Sequence, residues 1–156
     1  MQRIMLATVL GCCSAFCMAQ ATGAAPQEFT AYIGGFLGQS YTVDWNGREL
    51  RYSVRGHGKT TVHATLRPTE AQWQAFRSAV ERAGVSRWRP KYFNSRVMDG
   101  TQWSLRLKDR HVDVQASGSN SDPLADGRPN DTPEFSAAFE AYLKGVEALL
   151  GGRTFR

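Results

Sequence analysis

The chain has 156 residues, with 19 basic and 14 acidic side chains and a formal charge of +5, a modest excess that could attract an anionic partner. All three cysteines, Cys12, Cys13 and Cys17, fall in the first apolar run, so losing that run excludes disulfides and thiol catalysis from the rest. What remains, roughly 130 residues, suffices for one core held by burial alone.

The first segment reads as an export signal. Met1-Gln2-Arg3 carries one positive charge, Ile4 to Phe16 supplies an apolar stretch shorter than the ~20 residues of a spanning helix, and small residues follow at Ala19, Ala21 and Ala24. Cleavage after Ala19 makes 1–19 a signal peptide and starts the mature protein at Gln20. A second exit is that of a lipoprotein, because Val9-Leu10-Gly11-Cys12 resembles a lipobox and would put a lipid anchor on Cys12. Either way the folded part is exported, periplasmic or secreted.

Residues 20–39 form an N-terminal segment in which Phe29, Ile33, Phe36 and Leu37 suit a helix, but Gly34-Gly35 favours a strand ending at the glycines. Next, Tyr41, Val43 and Trp45 alternate with polar residues, as do Leu50, Tyr52 and Val54, on either side of Asn46-Gly47. That dipeptide predicts a two-residue hairpin turn, with Trp45 opposite Arg48, Val43 opposite Leu50, Tyr41 opposite Tyr52 and an unfavourable Asp44–Glu49 pair. A third meander strand follows Gly56-His57-Gly58, with Val62, Ala64 and Leu66 inward and Thr61, His63 and Thr65 outward.

Thr69 with Gln72 predicts a capping box opening a helix through Trp73, Phe76, Val80 and Ala83, ended by Gly84. A second hairpin spans Thr101 to Ser117. A turn at Asp109-Arg110 sets Trp103 opposite Ala116, Leu105 opposite Val114 and Leu107 opposite Val112, with Arg106–Asp113 and Lys108–His111 on the wet face; a longer loop stays open, as the turn lacks Gly. Asp122, Asp126, Asp131 and Glu134, against Arg128 alone, read with Pro123, Gly127, Pro129 and Pro133 as a long solvated loop. The last helix opens at Thr132-Pro133, carries Phe135, Phe139, Tyr142, Leu143, Val146 and Leu149 on one stripe, and stops at Gly151-Gly152. The fold class expected is α+β: an antiparallel sheet of four to five strands, made of two hairpins and the meander strand, with two helices on one face. Residues 40–152 form that single domain and 153–156 a C-terminal tail.

The run Glu70-Ala71-Gln72-Trp73-Gln74-Ala75-Phe76, Trp88 with Tyr92, Asp99-Gly100-Thr101-Gln102-Trp103, Gly118-Ser119-Asn120 and the terminal amphipathic helix together resemble a family of uncharacterised exported bacterial proteins. The resemblance spans about residues 40–150. It implies no activity, so it assigns no catalytic residue. Ser121 to Asp131 departs from the family pattern as an insertion.

Chemistry is sparse. His63, His111 and Asp113 would assemble a zinc or hydrolytic site only on neighbouring strands, with no tight ligand spacing to support them, and His57 sits in a turn. Ser119 lacks the surroundings of a nucleophile elbow. The acids from Asp122 to Glu134 match no calcium-loop spacing. Between Arg77 and Arg96 six basic residues face one acid, Glu81, with Trp88, Tyr92 and Phe93 interleaved. These rings would stack on a sugar, base or peptide while Arg87, Arg89 and Lys91 hold anionic groups; alternatively Trp88 and Tyr92 close the core and the cations point outward. The reading is a non-catalytic binding or accessory domain for an anionic envelope component or a protein partner. Its binding residues would be Arg87, Trp88, Arg89, Lys91, Tyr92, Arg51, His63 and Arg106, with no cofactor, metal or nucleic acid. The alternative is a small periplasmic hydrolase using His63, His111, Asp113 or Ser119.

Overall fold

A computed structural model describes residues 25–35, 38–56 and 59–156, with the side chains of residues 61 and 62 left aside. The expected signal peptide at 1–19, the lipid anchor at Cys12, and Phe36, Leu37 and His57 lie outside the described residues. No helix among the described residues is long and apolar enough to cross a membrane.

The protein is α+β. In chain order the elements are β1 (Glu28–Gly35), β2 (Ser40–Trp45), β3 (Leu50–Gly56), β4 (Lys59–Leu66), α1 (Glu70–Arg82), a 3-10 turn (Val85–Arg87), β5 (Lys91–Phe93), β6 (Thr101–Lys108), β7 (Asp113–Ser119), β8 (Asp122–Pro123), β9 (Pro129–Asn130) and α2 (Ala137–Leu149). Among the described residues seven strands form one sheet in the order β4-β3-β2-β1-β6-β7-β5, and β8-β9 form a separate ribbon. The expectation of four to five antiparallel strands is therefore too small, for two reasons. Strand β1 joins the two hairpins at the centre of the sheet, pairing with both β2 and β6. Strand β5, three residues and too short to show a period of two, adds parallel to β7 at the edge.

One face of β1, β2, β3, β5, β6 and β7 is buried. Phe29, Ala31 and Ile33 of β1, Val43 of β2, Leu50 and Tyr52 of β3, Trp103, Leu105 and Leu107 of β6 and Ala116 of β7 join Trp73, Phe76 and Val80 of α1 and Phe139, Leu143 and Val146 of α2 in one core. Phe29 meets Phe76 at 4.8 Å between ring centroids and Trp103 meets Phe139 at 4.9 Å, so both helices lie on the same side. The domain reaches past 40–152 at both ends. Besides β1, Phe155 is 1% exposed, with its neighbour's carbonyl, that of Thr154, accepting from the Tyr52 hydroxyl at 2.6 Å.

The alternation sorted the faces as expected, yet both hairpins are shifted by two residues. Trp45 pairs with Leu50 and Val43 with Tyr52; Leu107 pairs with Val114 and Leu105 with Ala116. The cause is the same in each. Asn46 Oδ1 accepts from the amides of Arg48 at 3.0 Å and Glu49 at 2.8 Å, and Asp109 Oδ1 accepts from those of His111 at 2.6 Å and Val112 at 2.8 Å. A four-residue loop satisfies two amides that a two-residue turn would not present to the side chain. A shift of two preserves which face each side chain takes, but it changes partners: Asp44 faces Arg51 instead of Glu49, and Lys108 faces Asp113 instead of His111.

Helix α1 keeps its capping box, Thr69 Oγ1 accepting from the Gln72 amide at 3.2 Å and Gln72 Oε1 from the Thr69 amide at 2.8 Å. Helix α2 begins later than Thr132-Pro133 because Ser136 is its N-cap, its hydroxyl accepting from the Phe139 amide at 3.0 Å. The Thr132 hydroxyl is instead engaged by Asn130 Oδ1 at 2.9 Å. The segment between β7 and α2 is not a solvated loop either. Asp122 is 3% and Asn130 9% exposed; Asp122 Oδ1 accepts from the Ser136 amide and Oδ2 from Asn130 Nδ2, both at 3.0 Å. Asp122 thus ties the ribbon to the start of α2, where the helix dipole favours a carboxylate. Burial still pushes its pKa above the usual aspartate value, against the hydrogen bonds from Ser136 and Asn130.

Candidate binding face

The helices cover one side of the sheet, and the opposite side carries the polar residues of every strand. The antiparallel registers line them up in rows. One row crosses all seven strands as His63, Ser53, Thr42, Tyr32, Ser104, Ser117 and Lys91. With strands about 4.8 Å apart, it spans roughly 29 Å. The row beside it runs Thr65, Arg51, Asp44, Thr30, Arg106 and Gln115. On the other side Gln102, Ser119 and Phe93 are in register.

Serines at the middle of the first row, between the larger Tyr32 and Lys91, leave a depression. One hollow of about 490 Å³ is lined by Tyr32, Gln102, Ser104, Ser119, Phe93 and Lys91, and a second of about 480 Å³ by Thr30, Pro90, Arg106 and Gln115. Both include Lys91, Ser104 and Ser117 in their walls, so they form one shallow groove. Phe93 stands 70% exposed beside it, an apolar ring next to hydroxyls, amides and a cation.

Charges on this face are partly spent. Arg106 holds Glu28 at 2.9 Å and also pairs with Asp113, and that hydrogen bond keeps the Asp113 carboxyl below the usual range. Lys108 reaches Glu28 at 3.9 Å. Arg51, Arg55 and Lys91 are exposed, and no ion pair within 4.0 Å engages them among the described residues.

The eight residues singled out by sequence divide into two groups. Lys91, Arg106, Arg51 and His63 share this uncovered face. Trp88 and Tyr92 are 6% and 3% exposed and present no stacking surface. The Trp88 indole donates to the Ala83 carbonyl at 3.2 Å and its ring meets Tyr142 at 5.3 Å. The Tyr92 hydroxyl accepts from the Arg89 amide at 2.8 Å and donates to the Gly127 carbonyl at 3.1 Å, and burial raises its pKa. Arg87 spends its guanidinium on the Ala125 carbonyl, at 2.6 and 2.9 Å, which docks the ribbon loop against the 3-10 turn. That docking requires glycine on both sides: a Cβ on Gly84 would strike the Ala125 carbonyl oxygen and one on Gly127 the Arg87 carbonyl oxygen. Arg89 is exposed. Sequence reasoning passed over Tyr32, Ser104, Ser117 and Gln102, because only strand order sets them side by side.

The residues of the hydrolase reading are not brought together. His63 lies on β4, and His111 in the loop between β6 and β7. Strand β6 is four steps from β4, about 19 Å. Ser119 has Gln102 and Phe93 for neighbours and Asp113 is held by Arg106. Among the described residues no three His, Cys, Asp or Glu side chains gather as a cation site; Asp126 pairs with Arg128 at 2.6 Å while Asp122 is buried away from it. No protein-family model matches the chain, and no curated protein matches it.

Proposed function

We propose that this protein is a non-catalytic binding domain exported to the bacterial envelope, where its uncovered sheet face holds an anionic saccharide component. The observation that carries the proposal is the groove across β1, β6, β7 and β5. Its floor of serine hydroxyls and glutamine amides matches the hydrogen-bonding of sugar hydroxyls. Tyr32 and Phe93 at its flanks suit the apolar face of a pyranose ring. Lys91 at one end and Arg51 and Arg55 farther along the face would meet carboxylates or phosphates, with His63 closing the long row and Arg106 contributing amide-like donors through its remaining N–H groups. Arg87, Trp88 and Tyr92 act in this reading as supports of the β5 edge, and Arg89 as a flanking cation. The kinship to exported bacterial proteins, carried by the helix, strand and loop motifs quoted above, belongs to the same proposal.

Co-sedimentation with purified peptidoglycan, and a parallel arm with lipopolysaccharide, tests it. Binding to at least one, weakening between 50 and 200 mM salt, is expected, with at least a tenfold loss in the triple variant Arg51→Glu/Arg55→Glu/Lys91→Glu. Those side chains are exposed, so the fold is expected to survive. Equal binding by the triple variant, or none by the unaltered protein to either material, rejects the reading. Export is tested separately by mass spectrometry of the mature N-terminus: a start at Gln20 is expected, whereas an acylated Cys12 would replace the free protein with an anchored one.

A further inference from the structure

A cleft of about 300 Å³ opens at the far end of β6, between the loop before that strand, the residues just after β7 and the segment leading into α2. We propose that this cleft is a second binding site, and that it takes a ligand with an apolar body and a cationic amine head. It does not rest on the groove reading.

Three observations point there. The walls are apolar, with Trp103 on the strand side, Phe135 and Pro133 on the α2 side and Val97 at the rim. Val97 and its neighbour Met98 are 47% and 86% exposed, so with Phe93 the large exposed hydrophobic residues of the described chain sit at this end of the molecule.

The second observation is an unused polar group. Ser121 is 5% exposed and lines the cleft, yet among the described residues its hydroxyl finds no hydrogen-bond partner, and neither does Asn120 Oδ1 beside it. Buried polar atoms without partners are uncommon and costly; a ligand donor that reached past the atoms covering them would satisfy them. The neighbouring polar groups are already committed: the Trp103 indole donates to the Ser121 carbonyl at 2.9 Å and Asn120 Nδ2 to the Val97 carbonyl at 2.8 Å.

The third observation is charge. Among the described residues, Asp131 and Asp122 line the cleft and no basic side chain does. Asp122 is bound by Ser136 and Asn130, but among the described residues no side-chain hydrogen bond or ion pair involves the Asp131 carboxylate, which is exposed. The unpaired groups are thus a carboxylate and an amide oxygen, which only accept, and a hydroxyl, which accepts or donates. Acceptors without a cation, beside aromatic walls, suit an ammonium carried on a hydrophobic body, and reject an anion of the same shape. The D-G-T-x-W and G-S-N runs meet here, through Gly100, Thr101, Trp103 and Asn120, which gives those motifs a shared place.

The test is a titration of 15N-labelled protein with 2-phenylethylammonium, matched by 3-phenylpropionate as the anion of similar body. Expected are saturable shifts at the Trp103 indole N–H and the Thr101, Asn120 and Ser121 amides, with a dissociation constant of about a millimolar or tighter. Binding should be at least tenfold weaker for the carboxylate, and about tenfold weaker for the amine with Asp131→Asn. No saturable shift with the amine, equal affinity for the carboxylate, or shifts confined to Lys91, Ser104 and Ser117 would each overturn the proposal. If Asp131→Asn disturbs folding, the comparison of the two probes on the unaltered protein still decides.

Discussion

Replacing Phe139 with alanine is expected to destabilise the domain by about 4 kcal/mol, in the middle of the range for removing a fully buried aromatic ring. Phe139 is 0% exposed and sits among four rings, with centroids at 4.9 Å from Trp103, 5.2 Å from Phe135, 5.8 Å from Tyr142 and 5.9 Å from Trp88. These neighbours come from β6, from the turn before β5 and from both sides of the α2 N-terminus, so no single segment can move in to fill the space. The cost then includes a cavity in addition to lost burial. Urea unfolding followed by circular dichroism measures it, with an unchanged m-value showing that the unfolded state is the same. Phe139→Leu, which keeps most of the volume, should cost less than half as much. A loss below about 1.5 kcal/mol for the alanine variant would contradict the view that this cluster joins α2 to the sheet.

The second large effect is expected at Gly118, where Gly118→Ala should destabilise by about 3 kcal/mol. Strand propensity predicts the reverse, a gain of roughly 0.5–1 kcal/mol from replacing glycine in a strand interior. Sterics decide the sign. Gly118 pairs with Trp103 across the β6–β7 ladder, and a Cβ there would overlap the Trp103 indole nitrogen and the Ser121 carbonyl oxygen. Those two atoms form the hydrogen bond at 2.9 Å that anchors the chain leaving β7, so the added methyl both overpacks the core and separates a buried donor from its acceptor. Ser117→Ala, one residue away on the open face, serves as the control and should stay within about 0.5 kcal/mol. Thermal and urea unfolding of both variants is sufficient; a Gly118→Ala protein as stable as its parent would mean the ladder shifts freely around Trp103.

Much of the architecture was legible because apolar spacing reports which side of an element faces the core. Trp73, Phe76 and Val80 marked α1, and its capping box is where Thr69 and Gln72 put it. The alternation in β2, β3, β6 and β7 sorted core from solvent correctly. Turn chemistry was harder to read. Asn46-Gly47 favours a tight turn by itself, but the Asn46 side chain recruits two loop amides, and Asp109 does the same, so each hairpin slips by two residues without exposing its core face.

The candidate face was legible only in fragments. Arg51, His63, Lys91 and Arg106 stood out as charged or titratable positions, whereas Tyr32, Ser104 and Ser117 looked ordinary. They become a groove because β1 lies between β2 and β6 and β5 adds to β7, contacts between segments far apart in the chain. The acid-rich segment misled for a related reason. Composition favours solvent for Asp122, but two hydrogen bonds, from the Ser136 amide and Asn130, make a buried carboxylate the clasp between the ribbon and α2.

By itself the sequence determined the α+β class, the polarity of the faces of β2, β3, β6 and β7 and of both helix stripes, and the placement of all three cysteines in the first apolar run. These are local properties, set by the periods of the backbone and by composition. Only the tertiary structure decided the strand order, the two-residue slips, the burial of Trp88, Tyr92 and Asp122, and the meeting of the D-G-T-x-W and G-S-N runs at one cleft. Those depend on which distant residues compete for the same hydrogen bonds and the same space, and no stretch of chain contains that information alone.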